Sequence, residues 1–119
     1  MSYVDGFVVP VPKARLAAYR AMARKACKVW MEHGALDYQE YVADDVAVGK
    51  VTSFPRSVKL KPDEIVIFAY IVYPSRKARD RIMAKVMKDP RLAAMMDPKT
   101  LPFDGKRMVF GGFKTLVSS

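Results

Sequence analysis

The sequence predicts an α+β fold, and two observations carry that prediction. Four segments rich in β-branched and aromatic residues have the character of strands: residues 3–9, 36–42, 64–73 and 106–117. Two amphipathic helical segments separate the first strand from the second and the third from the fourth. The order β-α-β-β-α-β is the ferredoxin-like plan, in which two helices pack on one face of a four-stranded antiparallel sheet.

Length and composition indicate one globular domain over residues 1–119. The chain is 51% hydrophobic and 28% charged, which suits a packed core and not a membrane protein. The opening segment MSYVDGFVVPVPKARL has neither a basic region nor a small-residue cleavage site, so we expect no secretory signal and a cytoplasmic location. With one cysteine and one histidine, we expect no disulfide, no metal site and no cofactor.

The first strand, YVDGFVV, stops at PVP, and Pro12 opens the first helix. From Lys13 to His33 there is no glycine or proline, and Gly34 stands where a left-handed cap ends a helix. One stripe of this helix is expected to face the sheet. It contains Leu16, Tyr19, Ala23, Ala26, Cys27 and Trp30.

Cys27 and His33 are not expected to form a catalytic pair. Their spacing puts them about 120° apart around the helix and about 9 Å apart along it. We expect Cys27 to be an inert core residue and Trp30 an anchor of the helix-sheet core. His33, in the last turn, is placed to cap backbone carbonyls.

The second strand is LDYQEYV, and the third, EIVIFAYIVY, is apolar on both of its alternating sets. A strand with one solvated face shows polar alternation, so this strand is expected to be covered on both faces. Helices cover one face, and a second copy of the same sheet is the simplest cover for the other. We therefore predict a homodimer that packs sheet against sheet.

Residues 46–63 connect the second and third strands and are unusually many, because hairpins need about 2 to 5 residues. The segment contains Lys50, Arg56, Lys59 and Lys61. We interpret it as an arm that borders a site or reaches the partner subunit. The alternative is a solvated loop.

Ser75 can cap the second helix, RKARDRIMAKVMKD, and Asp89 can cap a short helix that begins at Pro90. The last strand, KRMVFGGFKTLV, contains Gly111 and Gly112. Paired glycines in a strand indicate a bulge or a close backbone approach.

Asp5 interrupts an apolar strand, and a carboxylate is costly to bury unless it is paired. We expect its side chain on the face toward the dimer cleft, with Gly6 under the helices. The candidate ligand-binding residues of that cleft are Tyr3, Asp5, Tyr38, Glu40, Tyr70 and Arg107. Desolvation in such a cleft raises the pKa of a carboxyl group toward values useful in acid-base catalysis. The alternative is a structural ion pair between Asp5 and Arg107.

The formal charge of +9 raises nucleic acid as a partner, although a basic surface also serves solubility alone. The RNA recognition motif shares the βαββαβ plan and has a basic residue, a glycine and exposed aromatic residues around its third strand. Phe68 and Tyr70 have the spacing needed to stack on bases. EIVIFAYIVY lacks the basic-glycine opening, however, and a dimer covers those rings.

Four segments together resemble the YbaA-like family, small bacterial proteins with a domain of unknown function. They are YVDGFVVPVP, GALDYQEYVADD, KVMKDPRL and PFDGKRMVFGGF. The resemblance covers nearly the whole chain and implies the dimeric α+β barrel. That superfamily is similar in plan to small antibiotic-biosynthesis-type monooxygenases, muconolactone-isomerase-like enzymes and stress-response barrel proteins, which bind small aromatic or polyketide-like molecules. The resemblance implies no catalytic residue set.

We therefore expect a protein of unknown function that binds a small organic molecule in a cleft of a homodimer. Cofactor-independent oxygenase or isomerase chemistry is compatible with the fold, but no motif identifies it, and the question of enzyme activity stays open. The alternatives are nucleic-acid binding through the basic helices and the arm, or a structural module without a small ligand.

Overall fold

The computed structural model describes residues 2–119 as an antiparallel sheet with helices. The strands are β1 (Tyr3–Pro12), β2 (Asp37–Val42), β3 (Glu64–Tyr73) and β4 (Val109–Lys114). The helices are α1 (Leu16–Glu32), α2 (Phe54–Ser57), α3 (Arg76–Lys88) and α4 (Pro90–Met95). Short 3-10 turns occupy Lys13–Arg15 and Gly105–Arg107.

The four strands pair in the order β2-β3-β1-β4, and every neighbouring pair is antiparallel. β1 and β3 lie at the centre and pair along their whole length, from Tyr3 opposite Tyr73 to Pro12 opposite Glu64. The predicted α+β class and its four-stranded antiparallel sheet are confirmed.

Several predicted boundaries match the structure. β3 spans the predicted residues, and Gly34 has a positive φ of 114° just after α1. The Ser75 hydroxyl accepts the backbone N–H of Ala78 at 3.1 Å, and Asp89 accepts that of Arg91 at 2.9 Å. Both predicted helix caps are therefore present.

The first strand was predicted over residues 3–9. In the structure it continues through Pro10 and ends at Pro12. β4 pairs with β1 only as far as Val8, so Pro10 and Pro12 lie beyond that ladder, where proline removes no hydrogen bond to β4. Gly111 and Gly112 continue the β1 register without a bulge. A side chain at Gly112 would collide with the Tyr3 ring, so this glycine provides the predicted close approach.

The helices and the sheet bury two apolar clusters between them. The first surrounds Trp30, Tyr73 and Val86, and the second surrounds Val11 and Tyr19. Buried residues of α1, α3 and α4 belong to the first cluster, so these three helices share one side of the sheet.

The opposite side, which we call the open face, carries the other alternating set of each strand. Phe68 is 44% exposed and Phe113 is 63% exposed. The Tyr70 ring centroid lies 6.2 Å from that of Tyr41 and 6.5 Å from that of Phe68. Within the single chain this face is therefore only partly covered, although the sequence predicts a cover.

The connection between β2 and β3 is exposed over residues 46–52, and its later part, which contains α2, packs against the sheet of its own subunit. α2 lies against β1 and β3 and buries Val58 almost completely. The Arg56 side chain donates hydrogen bonds to the carbonyls of Val48 and Gly49. Phe54 places its ring edge against Phe68, so this segment forms one border of the open face.

Among residues 2–119, none of the helices combines the length and apolar character needed to cross a bilayer.

Candidate functional site

A cavity of about 330 Å³ lies between the helices and the sheet. Its walls come from β1, β2, β3, α1, α3, α4 and the residues on either side of the start of β4. Six of the eight methionines in the chain line it: Met22, Met83, Met87, Met95, Met96 and Met108. Its surface is mostly apolar, with a few polar side chains at two places.

The first polar place is Glu40, which β2 directs toward the helices. One oxygen of its carboxylate accepts the hydroxyl of Tyr19 from α1. The other accepts the hydroxyl of Tyr38 at 2.7 Å. Tyr38 and Glu40 are two residues apart in one strand, which puts both side chains on the same face of the sheet.

Both tyrosines stay protonated at neutral pH. Burial, followed by the negative charge of Glu40, raises the pKa of the Tyr19 hydroxyl far above its usual value. The same two causes raise the pKa of Tyr38. Each hydroxyl therefore acts as a neutral hydrogen-bond donor, and the pair fixes the position of the Glu40 carboxylate.

The second polar place is Asp5 of β1, which is 5% exposed. Its partner is Arg79 of α3, whose guanidinium lies 3.3 Å from the carboxylate. Arg79 also donates to the Tyr3 hydroxyl at 3.2 Å and lies over the Tyr3 ring. Burial raises the pKa of Asp5, while the Tyr73 hydroxyl and the Arg79 charge oppose that shift.

Trp30 forms part of the wall near Tyr38 and is also held by a hydrogen bond. Its indole N–H donates to the Tyr73 hydroxyl at 3.1 Å. The ring centroids of Trp30 and Tyr38 are 6.2 Å apart. The only tryptophan of the chain is therefore a fixed part of the cavity wall.

The predicted orientation of Asp5 is wrong. From the sequence we expect it on the dimer-cleft face with Gly6 under the helices, whereas in the structure Asp5 lies under the helices and Gly6 lies beside Phe113 on the open face. A carboxylate is tolerated there because α3 supplies Arg79 as its partner. The alternative pair of Asp5 with Arg107 is also wrong, because Arg107 pairs with Glu64 at 2.6 Å.

The structure brings together part of the predicted set of ligand-binding residues. Asp5, Tyr38 and Glu40 line the cavity. Tyr3 faces the same side and reaches the site through Arg79. Tyr70 points to the open face, opposite Gly6 of β1, and is separated from the other candidates by the sheet. Arg107 lies in the turn before β4 and ties that turn to the start of β3.

The roles of Arg79, Tyr19 and the methionines are not predicted from the sequence. Arg79 lies four residues before Met83 in the sequence, so the two side chains share one side of α3. Tyr19 was correctly placed on the sheet-facing stripe, but its hydroxyl needs a buried acceptor, which was a usable signal.

Cys27 and His33 do not act together in the structure. Burial is the main cause that raises the pKa of the Cys27 thiol, which disfavours the reactive thiolate. We predicted that His33 caps backbone carbonyls at the end of α1. In the structure its side chain instead contacts Asp89, the residue that caps the start of α4, at 2.9 Å. Over residues 2–119, no group of three histidine, cysteine or acidic side chains is placed to hold a metal ion.

Comparisons with known proteins identify the family of this chain. The model of a family described as "Protein of unknown function (DUF1428)" matches residues 2–105. The uncharacterized protein YbaA of Escherichia coli K12 is 48% identical over 117 residues, covering 98% of each chain, and YbaA of Shigella flexneri matches equally. The solved structure of the de novo designed protein Foldit4 covers 99% of this chain at 8% identity, with a TM-score of 0.45. With its family match and its close YbaA relatives, this chain belongs to the DUF1428 family, whose function is unknown.

Proposed function

We propose that this protein binds a small, largely apolar organic molecule in the cavity between the sheet and the helices. The observation that carries the proposal is an apolar cavity of about 330 Å³ into which Glu40, Tyr38 and Asp5 all project. Ligand sites commonly have volumes of about 300 to 1,000 Å³ and pair apolar walls with a few polar groups. Such polar groups fix the orientation of the ligand.

The geometry supports binding more directly than turnover. Glu40 is held by two hydroxyl donors and Asp5 by a guanidinium, so both carboxylates are fixed in place. A general base needs a substrate proton within hydrogen-bond reach, and that depends on the ligand. Oxygenase or isomerase chemistry of the kind found in similar folds therefore remains a hypothesis that identification of the ligand would test.

The binding unit in this proposal is a ferredoxin-like homodimer that forms a dimeric α+β barrel. The support is the open face, where Tyr41, Phe68, Val109 and Phe113 leave large apolar areas exposed. Contiguous apolar patches of this kind are uncommon on monomers. A second copy offers the same patch, and self-complementary patches are the usual basis of twofold dimers.

The cytoplasmic location remains a prediction.

The single tryptophan provides the first test of ligand binding. Because Trp30 lines the cavity, a bound molecule should change its fluorescence. We would titrate a panel of small aromatic and aliphatic molecules and confirm each response by calorimetry. Saturable binding with one site per chain supports the proposal, whereas the absence of any response across the panel contradicts it.

A pair of variants on α1 localises the binding. Ala26→Leu adds volume inside the cavity wall, and Ala21→Leu adds the same atoms on the exposed side of the helix. The first variant should weaken binding in calorimetry and the second should not. Equal affinities in both variants, with both chains folded by circular dichroism, would place the ligand elsewhere.

Nucleic-acid binding is the second candidate, because the open face exposes Phe68 beside Tyr70. The basic side chains of the helices are on the wrong side for that function. The exposed ones on α1 and α3 are Arg20, Arg24, Lys25, Lys28, Arg76, Lys77, Arg81, Lys85 and Lys88. A single strand that stacks on the open face cannot also reach the helices on the other side. Salt-sensitive RNA binding that Phe68→Ala abolishes would favour this candidate over the cavity.

A further inference from the structure

Glu40 has an unusual set of neighbours for a carboxylate in an apolar cavity. Its two oxygens accept hydroxyl groups from Tyr19 and Tyr38. Within residues 2–119, no basic side chain forms an ion pair with it. Neutral donors stabilise the carboxylate but do not neutralise its charge.

Glu40 is half-buried at the cavity wall, and the two fully buried carboxylates differ from it in having a basic partner. Asp5 is paired with Arg79, and Glu64 receives both terminal nitrogens of Arg107. A carboxylate removed from water is strongly stabilised by a positive partner. On the cavity side of the half-buried Glu40, a positive partner would have to come from the ligand.

The walls around Glu40 are suited to a cation. Tyr19 and Tyr38 reach its carboxylate through their hydroxyls, and the Trp30 ring lies next to that of Tyr38 with ring planes 50° apart. Phe103 meets the Tyr19 ring edge to face at 5.7 Å between centroids. Aromatic faces attract ammonium groups, and combining them with a carboxylate gives two independent attractions for one charge.

The rest of the cavity is suited to an apolar body of variable shape. Thioether side chains are flexible and polarizable, and they adapt to irregular ligands better than branched aliphatic ones. The methionines come from α1, α3, α4 and the segment before β4. One end of the cavity is therefore polar and fixed, while the remainder is apolar and deformable.

We propose that the ligand of this cavity is an amphipathic amine, with its ammonium group against Glu40 and its apolar body among the methionines. This inference rests on the proposed function, because it requires the cavity to be a binding site. It adds to that function the chemical class of the ligand. Within this class a positive charge is favoured over a neutral or negative head group of similar size.

Three probes with one tail and different charges test the inference: octylamine, 1-octanol and octanoate. Each is titrated at neutral pH and below its aggregation limit, with Trp30 fluorescence as the readout and calorimetry as confirmation. We expect octylamine to bind at least about tenfold more tightly than octanol, which corresponds to about 1.4 kcal/mol. Octanoate should bind most weakly, because its charge repels that of Glu40.

Glu40→Gln removes the charge and keeps the size and an acceptor oxygen. It should reduce octylamine binding to the level of octanol while leaving octanol unchanged. Asp45→Asn is the matched control, because Asp45 is exposed and its replacement changes the net charge equally. Tyr38→Phe keeps the Glu40 charge and should retain a preference for the amine, which guards against a folding defect in Glu40→Gln.

The outcomes separate the inference from the proposed function. If the three probes bind with equal affinity, or if Glu40→Gln retains the amine preference, the amine class is wrong and cavity binding stands. If none of the probes binds and the broader panel also fails, both conclusions are wrong.

Discussion

Trp30 and Tyr73 are joined by a hydrogen bond between α1 and β3, with the indole N–H donating to the phenolic oxygen at 3.1 Å. Tyr73 is fully buried, and burial raises the pKa of its hydroxyl. The bond therefore links the helix layer to the end of the central strand β3 through two neutral groups. It also fixes the tryptophan that forms part of the cavity wall.

Tyr73→Phe should destabilise the fold by about 1 to 3 kcal/mol, because it leaves the buried indole N–H without a partner. Denaturant unfolding at neutral pH measures the change. Tyr70→Phe is the control, since Tyr70 lies on the open face, and it should cost less. An equal loss in both variants would show that the Trp30–Tyr73 bond contributes nothing specific.

Asp5→Asn should change the pH dependence of stability. Burial raises the pKa of Asp5 above its ordinary value of 3.8, so the folded state favours the protonated form. This contribution is complete below the ordinary value and is lost as the pH rises through the raised value. The wild type should therefore lose stability relative to Asp5→Asn as the pH rises from acid toward neutral. A relative gain over that range would mean that the ion pair with Arg79 outweighs burial.

Glu64→Gln should be costly at neutral pH. The Glu64 side chain is 3% exposed, and Arg107 donates to both of its oxygens. Losing one partner of a buried pair costs about 3 to 5 kcal/mol. Asp104 also contacts Arg107 but is 43% exposed, so Asp104→Asn should cost much less than Glu64→Gln.

The Glu64 pair should also respond to pH. The hydrogen bonds from Arg107 are the main cause that lowers the pKa of Glu64 below its ordinary value of 4.5. Its stabilising effect is therefore present above that value and is lost as the pH falls through the lowered one. The difference in unfolding free energy between wild type and Glu64→Gln should shrink in acid. A difference that stays constant with pH would contradict this assignment.

Phe68→Lys should separate the proposed dimer. The wild type is expected to have about twice the chain mass of 13.4 kDa in light scattering, and the variant should have the mass of one chain. Leu116→Lys is the control, because Leu116 is 95% exposed and follows the last strand. A monomeric wild type, or a variant that remains dimeric, would show that the open face is not the interface.

Local sequence signals predicted local structure well. The bounds of β3, the caps at Ser75 and Asp89, and the left-handed Gly34 depend on neighbouring residues alone. The missed helix α2 also had such a signal, since Ser53 caps it and Pro55 lies in its first turn.

The site was harder to predict because it depends on contacts between distant residues. Alternation in β1 separates Asp5 from Gly6 but does not show which of them faces the helices. That choice depends on Arg79, which is 74 positions away in the chain. Likewise, Tyr38 and Glu40 were predicted site residues, but the cavity beside them was not predicted. That cavity results from how α1, α3 and α4 pack, and the residue pattern of a strand carries no information about helix packing.

The methionine wall makes the cavity chemically vulnerable as well as adaptable. Met87 is 58% exposed and Met96 is 48% exposed, so oxidants in solvent reach these cavity residues readily. Oxidation of a thioether to a sulfoxide adds a polar S–O bond to a surface that otherwise attracts hydrocarbon, and methionine sulfoxide reductases reverse it. The affinity that we propose for an apolar ligand would consequently fall under oxidative conditions and recover after repair.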